Sequence, residues 1–172
     1  MRALGLLALA AVAAAGAVAP GPAHAQADSA LEARIQRLED VEAIGRVLTD
    51  YGRLVDARDW KAFADLYAED GGTWSGGFGM AVGRTAIYEM MTKAMGPTPG
   101  PNYHVMSNFE IDVKGDAATA WSRWTFVSGS PDGKPAILYG GRYQDTLVRE
   151  NGAWKFKRRD VVSDVSGPPP RR

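Results

Sequence analysis

Four long runs at the C-terminal end, 103–113, 117–128, 135–149 and 153–163, decide most of what this chain can fold into. They are separated by Lys114-Gly115-Asp116, Pro131-Asp132-Gly133 and Asn151-Gly152. These connections are rich in turn residues and too short for a crossover, so successive strands must pair antiparallel. Gly140-Gly141 interrupts the third run, and glycines inside a strand mark a bend or bulge. The residues before 100 have a different period. Leu31, Ile35, Leu38, Ile44, Leu48, Tyr51 and Val55 recur at helical spacing and predict a helix over 30–57, capped by Asp28 or Ser29 and open to a break near Asp40. Asp59 caps a second helix over 59–67, with Trp60, Phe63, Leu66 and Tyr67 on its apolar face. Two short strands, 73–75 and 79–82, join through Gly76-Gly77, and a third helix covers 85–95. Helices followed by a meander make an α+β pattern, with the helices on one face of the sheet. Three helices on a strongly bent, mainly antiparallel sheet form a cone with an interior pocket.

The chain starts Met1-Arg2 and enters an apolar stretch of Ala, Leu, Val and Gly over 4–19, broken by Pro20-Gly21-Pro22 before Ala23-His24-Ala25. A basic start, an apolar centre and small residues where a signal peptidase reads define a signal peptide over 1–25, with cleavage after Ala27 as the near alternative. The apolar run is short for a membrane span. The expectation is a periplasmic or secreted protein with no stable membrane anchoring after cleavage: one domain over 26–166 and a disordered Pro/Arg tail over 167–172. Removing 25 residues from 172 leaves 147, enough for one sizeable core. Lys plus Arg number 20 and Asp plus Glu number 20, a balance without the electrostatic footprint of a nucleic-acid binder. With no Cys and one His after cleavage, the usual transition-metal sites cannot assemble. No glycine-rich phosphate loop or nucleophile elbow is present, so neither metal nor cofactor is expected.

His104 is then the only imidazole available for proton chemistry near neutral pH. Asp56 would sit at the C-terminal end of the first helix, where the macrodipole disfavours a carboxylate and a compensating partner is needed. Tyr51, five residues earlier, is roughly 140° round the helix from Asp56 at 3.6 residues per turn. It reaches an interior site only if the sheet wraps the helix end. Asn108 is four residues from His104, on the same face of a regular strand. Strict alternation from Trp154 and Phe156 puts Arg159 with Lys155 and Lys157 on a solvated face, unless a bulge turns it inward. Trp74, Trp121, Trp124 and Tyr139 are candidates to line an apolar pocket.

The order of elements resembles the SnoaL-like branch of the nuclear-transport-factor-2-like superfamily, over roughly 38–165. The resemblance rests on Tyr51-Gly52-Arg53-Leu54-Val55-Asp56-Ala57-Arg58-Asp59-Trp60, Leu66-Tyr67-Ala68-Glu69-Asp70-Gly71, Gly83-Arg84, His104 with Asn108, Gly140-Gly141-Arg142-Tyr143 and Asn151-Gly152-Ala153-Trp154-Lys155-Phe156. The segments around Asp56, His104 and Gly140 look most like the dehydrochlorinase, scytalone dehydratase and bile-acid dehydratase lyases of that branch. The resemblance implies an acid/base pair of Asp56 and His104, with Tyr51 at the position of a Tyr in the bile-acid enzymes. It also puts Arg159 where the dehydrochlorinase has an Arg that helps hold the leaving group. The second active-site His of scytalone dehydratase and the second Asp of the bile-acid enzymes have no equivalent around Trp121-Ser122-Arg123-Trp124, so particular substrates do not carry over.

The expectation is an exported, cofactor-independent lyase or isomerase acting on a small apolar molecule, cyclic ones included. Its catalytic residues would be Asp56, His104 and Tyr51, and Trp74, Asn108, Trp121, Tyr139 and Arg159 would contact substrate. The alternative is a non-catalytic periplasmic binding domain with the same pocket. A homodimer or homotrimer through the sheet fits either, and an oligomerisation module would show a broad apolar outer face.

Overall fold

The structure is a computed structural model that describes residues 22–129 and 133–166. The expected signal peptide up to residue 21, the turn at 130–132 and the expected tail lie outside the described residues. The chain divides into two compact units at Ile35 and Gln36. The described part of the first is helical, the opening of α1 (Pro22–Ala57), with Leu31 and Ile35 exposed. The second unit holds the remainder of α1, then α2 (Trp60–Asp65), β1 (Thr73–Gly76), β2 (Gly79–Val82), α3 (Arg84–Met95), β3 (Asn102–Lys114), β4 (Ala117–Gly129), β5 (Pro135–Glu150) and β6 (Ala153–Ser166). No helix among the described residues is long and apolar enough to cross a membrane.

The helix expected from residue 30 begins at Pro22 and runs through Asp40 without a break. Asp40 does not end it because its carboxylate turns into the protein. There it accepts hydrogen bonds from Arg149 Nη2 at 2.7 Å, Trp154 Nε1 at 3.1 Å and Gln36 Nε2 at 3.2 Å. Burial pushes this carboxyl up, but the three donors outweigh it and hold it below its ordinary value. Asp59 caps α2 as expected, accepting from the Ala62 N–H at 3.0 Å.

The six strands form one open sheet in the order β2-β1-β6-β5-β4-β3. The meander from β3 to β6 is antiparallel throughout, whereas β1 joins β6 in parallel, making the sheet mixed. The inward faces of these strands and the helices share one core, including Leu48, Phe63, Ile87, Tyr143 and Phe156. Each such side chain contributes about 1.5–3 kcal/mol on leaving water. Irregularities in register bend the sheet. They lie between Ser107 and Glu110 on β3, between Phe126 and Val127 on β4, and twice along the β5–β6 pair. One of these is opposite Gly140-Gly141, where a Cβ on Gly141 would stand 2.0 Å from the Val162 carbonyl oxygen. No other residue fits there. The fold is α+β, a helix layer on one face of a bent sheet.

Two glycines of α1 differ in purpose. A Cβ on Gly52 would stand 3.0 Å from Met106 Cγ and 3.6 Å from His104 Cβ, so this glycine lets β3 lie close to the helix. Gly45 has nothing within 4 Å of the equivalent position. Gly45→Ala is expected to raise stability by about 0.5–1 kcal/mol, the helix-propensity difference, measured by urea unfolding. A loss of stability would mean that something unseen packs on this position.

Candidate functional site

Asp56 is the penultimate residue of α1, where the helix carbonyls repel a negative charge. The compensation comes from β3. One carboxylate oxygen, Oδ2, accepts the backbone N–H of His104 at 2.8 Å. The other, Oδ1, lies 2.7 Å from His104 Nδ1 and accepts from Asn102 Nδ2 at 3.4 Å. Arg58 stops the helix in the left-handed region, at φ 58°, with its N–H on the Val55 carbonyl at 3.2 Å. His104 is on the inward phase of β3, paired with Phe126 of β4. Its ring packs 5.0 Å from that of Phe126, which continues to Tyr139 at 6.1 Å.

The geometry sets the tautomer. An ionised carboxylate can only accept, so Nδ1 carries the proton and the neutral ring has a bare Nε2. That nitrogen has no hydrogen-bond partner among the described residues, and the ring borders a cavity of about 600 Å³. Tyr51, Val55, Met91, Trp124, Phe126 and Tyr143 form much of the wall. Trp74 and Tyr139 are also in it. Among the described residues, the lining contains no carboxylate, and Arg58 is its one Lys or Arg.

Tyr51 reaches the cavity although it does not share Asp56's helix face, because Asp56 meets β3 at His104 while Tyr51 meets Trp74 of β1, Tyr143 of β5 and Phe156 of β6. Its hydroxyl accepts from Trp74 Nε1 at 2.9 Å. Burial pushes the Tyr51 phenol up, and the nearby Arg159 cation only partly opposes this. Tyr67 and Tyr143 are pushed further in the same direction, again chiefly by burial. All three therefore remain protonated after an unfolded chain would begin to ionise near pH 10. The sign follows: their contribution is intact below about pH 10 and is lost as pH rises above it. Urea midpoints are expected to hold up to pH 9 and fall between pH 10 and 11; a flat profile would contradict this burial.

Three sequence expectations are corrected. Asn108 is exposed and does not line the cavity, because it occupies the β3 bulge at φ 54° and the bulge resets the alternation counted from His104. Trp121 points to the other face of β4, where it borders a groove of about 490 Å³ with Glu110, Asp112 and Arg158 and carries Arg123 on its ring. Arg159 is neither solvated nor in the cavity wall. Phe156 pairs with Leu147 and Arg158 with Thr146, so Lys157 is an extra residue that turns Arg159 inward. Fully buried, Arg159 forms two hydrogen bonds with Asp145, at 2.8 Å and 2.7 Å, and its guanidinium is 4.1 Å from the centres of both Tyr51 and Tyr143. It lies behind the tyrosines, out of reach of a ligand.

Sequence reasoning assigned no role to Asn102, Arg58 or Asp145. Asn102 could have been found, since it is two residues from His104 and on the same strand phase. Asp145 could have been found from its place between Tyr143 and Leu147, both inward.

The SnoaL-like domain family matches residues 36–160. No curated protein matches the chain in sequence. Among solved structures, an NTF2-like protein with a cystatin-like fold from Novosphingobium aromaticivorans is 29% identical, with a TM-score of 0.68 over 76% of this chain and 85% of that one. A proposed scytalone dehydratase from the same organism is 28% identical, with a TM-score of 0.64 over 79% of this chain and 97% of that one. The hexachlorocyclohexane dehydrochlorinase LinA-type3 of Novosphingobium barchaimii is 19% identical, with a TM-score of 0.67 over 78% and 93%, a likeness of fold alone. Proteins of unknown function share the fold as well. With its helices, mixed sheet and matched segment together, the chain belongs to the SnoaL-like family of the NTF2-like superfamily.

Proposed function

We propose that the protein is a cofactor-independent lyase or isomerase that removes a proton from carbon in a small, largely apolar molecule. One observation carries this reading: His104 is locked through Nδ1 onto Asp56 and faces an apolar cavity with a bare Nε2. In such a site Nε2 takes a proton from a carbon beside an electron-withdrawing group, and Asp56 stabilises the imidazolium. The released electron pair forms the new double bond. A leaving group on the neighbouring carbon departs with its bonding pair, or the proton returns at another carbon. Tyr51, kept protonated by burial, donates to the departing or carbonyl oxygen. One relative supports the class: a proposed scytalone dehydratase at 28% identity shares the fold.

The test is proton NMR in D₂O with β-hydroxycyclohexanones, cyclic β,γ-enones and chlorinated cyclohexanes. The expected result is protein-dependent exchange or elimination with at least one class, lost in His104→Gln. Binding without exchange in every class would make this a small-molecule-binding domain instead.

Two further parts of the reading follow from the sequence. The protein is exported with the leader removed after Ala25, which N-terminal sequencing of the mature form checks. Copies associate as a dimer or trimer through the outer sheet face, where Tyr103, Val105 and Ile137 are exposed. Sedimentation of a Val105→Glu variant checks this.

A further inference from the structure

Arg58 holds a conformation that L side chains rarely adopt, where glycine would be the easier choice. Such a backbone persists only when the surroundings fix it, and it directs attention to what the side chain does. Its guanidinium is half-buried in the cavity wall beside the ring of Trp60, 5.5 Å from the ring centre. The hydrogen bonds it makes are few. Nη1 has one close acceptor, the Val55 carbonyl at 3.0 Å, and a thioether, Met95 Sδ, at 3.7 Å. Nη2 reaches Asn102 Oδ1 only at 3.5 Å, and Nε is buried with no acceptor. No carboxylate among the described residues lies within ion-pairing distance. Asp56, the carboxylate whose charge acts on Arg58, is held by His104 and Asn102. Burial works against the charge on Arg58, and Asp56 only partly restores it. Every other arginine in the core or at its edge is paired: Arg84 with Glu150, Arg149 with Asp40, and Arg159 with Asp145.

A half-buried guanidinium in a cavity wall that has no carboxylate among the described residues has no anionic acceptor, and its buried Nε has none at all. We propose that the cavity takes a monocarboxylate with an apolar body, its carboxylate on Arg58. The inference rests on the same cavity being the substrate site and names the class of substrate. Arg58 is joined to the base through Asn102 and Asp56, so the carboxylate binds at the His104 end of the cavity and fixes which carbon meets Nε2.

The experiment compares 2-naphthoate with 2-naphthamide at pH 8.5, read by quenching of the tryptophan emission, to which Trp74 and Trp124 of the cavity wall contribute. The carboxylate is expected to bind about tenfold tighter or more, the scale of a charge-assisted hydrogen bond. Arg58→Gln is expected to remove the preference by weakening naphthoate alone, and Arg58→Lys to keep part of it. In His104→Gln the preference persists, which separates the two cations. Should Arg58→Gln not fold, the Arg58 Nε–H signal of the ¹⁵N-labelled wild type is expected to move on adding naphthoate and to ignore naphthamide. Equal affinity for the two probes, no naphthoate binding at millimolar concentration, or a preference that survives Arg58→Gln or vanishes in His104→Gln would overturn the proposal. Loss of the carboxylate preference with intact proton exchange defeats this inference alone. Preference without exchange defeats only the lyase reading.

Discussion

His104→Gln is expected to lower turnover of an eliminating or isomerising substrate by about 10²–10⁴-fold, the usual contribution of a positioned general base. Glutamine keeps much of the volume and can still hydrogen-bond to Asp56, so binding is expected to change little and the loss to fall on kcat. Asp56→Ala is expected to approach the same loss by another route, because it removes the acceptor of both the ring and the β3 backbone N–H. The two effects are expected not to add, since the residues act as a unit. A double variant much slower than either single one would mean that Asp56 does chemistry independently of His104.

Removing Arg159 alone is expected to cost about 3–5 kcal/mol of stability, because Arg159→Met leaves Asp145 charged and unpaired in the core. Asp145→Leu is expected to cost a similar amount from the other side. Both residues have no exposed side-chain surface. Burial pushes the Asp145 carboxyl up and the two hydrogen bonds from Arg159 pull it back; the same carboxylate holds Arg159 charged. The aromatic rings of Tyr51, Tyr143 and Phe156, 4.1 to 4.2 Å from the cation, complete its surroundings. The double variant Arg159→Met with Asp145→Leu is expected to regain most of the stability, since buried pairs replaced together by apolar groups are often neutral. Urea unfolding of the four proteins measures the coupling directly. Additive losses would show that the two side chains do not depend on each other.

The contrast between these two sites explains what was readable in the sequence. Strand order in the meander followed from three short turns, and the α2 cap from Asp59, because both are local. The Asp56–His104 contact spans 48 residues, and neither side chain alone distinguishes a site residue from a turn or strand residue. It became visible through the helix-end position of Asp56 and through resemblance. Arg159 was misplaced because period-two counting assumes regular strands, and one extra residue at Lys157 reverses the face. Asn108 failed in the same way at the β3 bulge. The parallel pairing of β1 with β6 was not readable at all, since it depends on how α2 returns the chain to the sheet. Bulges are single-residue events with weak local signals. Yet the bulge at Lys157 places the buried pair behind Tyr51, and the one on β3 leaves Asn108 outside the cavity.

The first measurement to make is the tautomer of His104. In the full chain carrying His24→Gln, one imidazole remains, and two-bond ¹H–¹⁵N correlations report which ring nitrogen holds the proton when the ring is neutral. A protonated Nδ1 and a bare Nε2 are expected in that chain, and loss of this preference in Asp56→Ala. A neutral ring protonated on Nε2, or one indifferent to Asp56, would leave the cavity without its base and contradict the proposed chemistry.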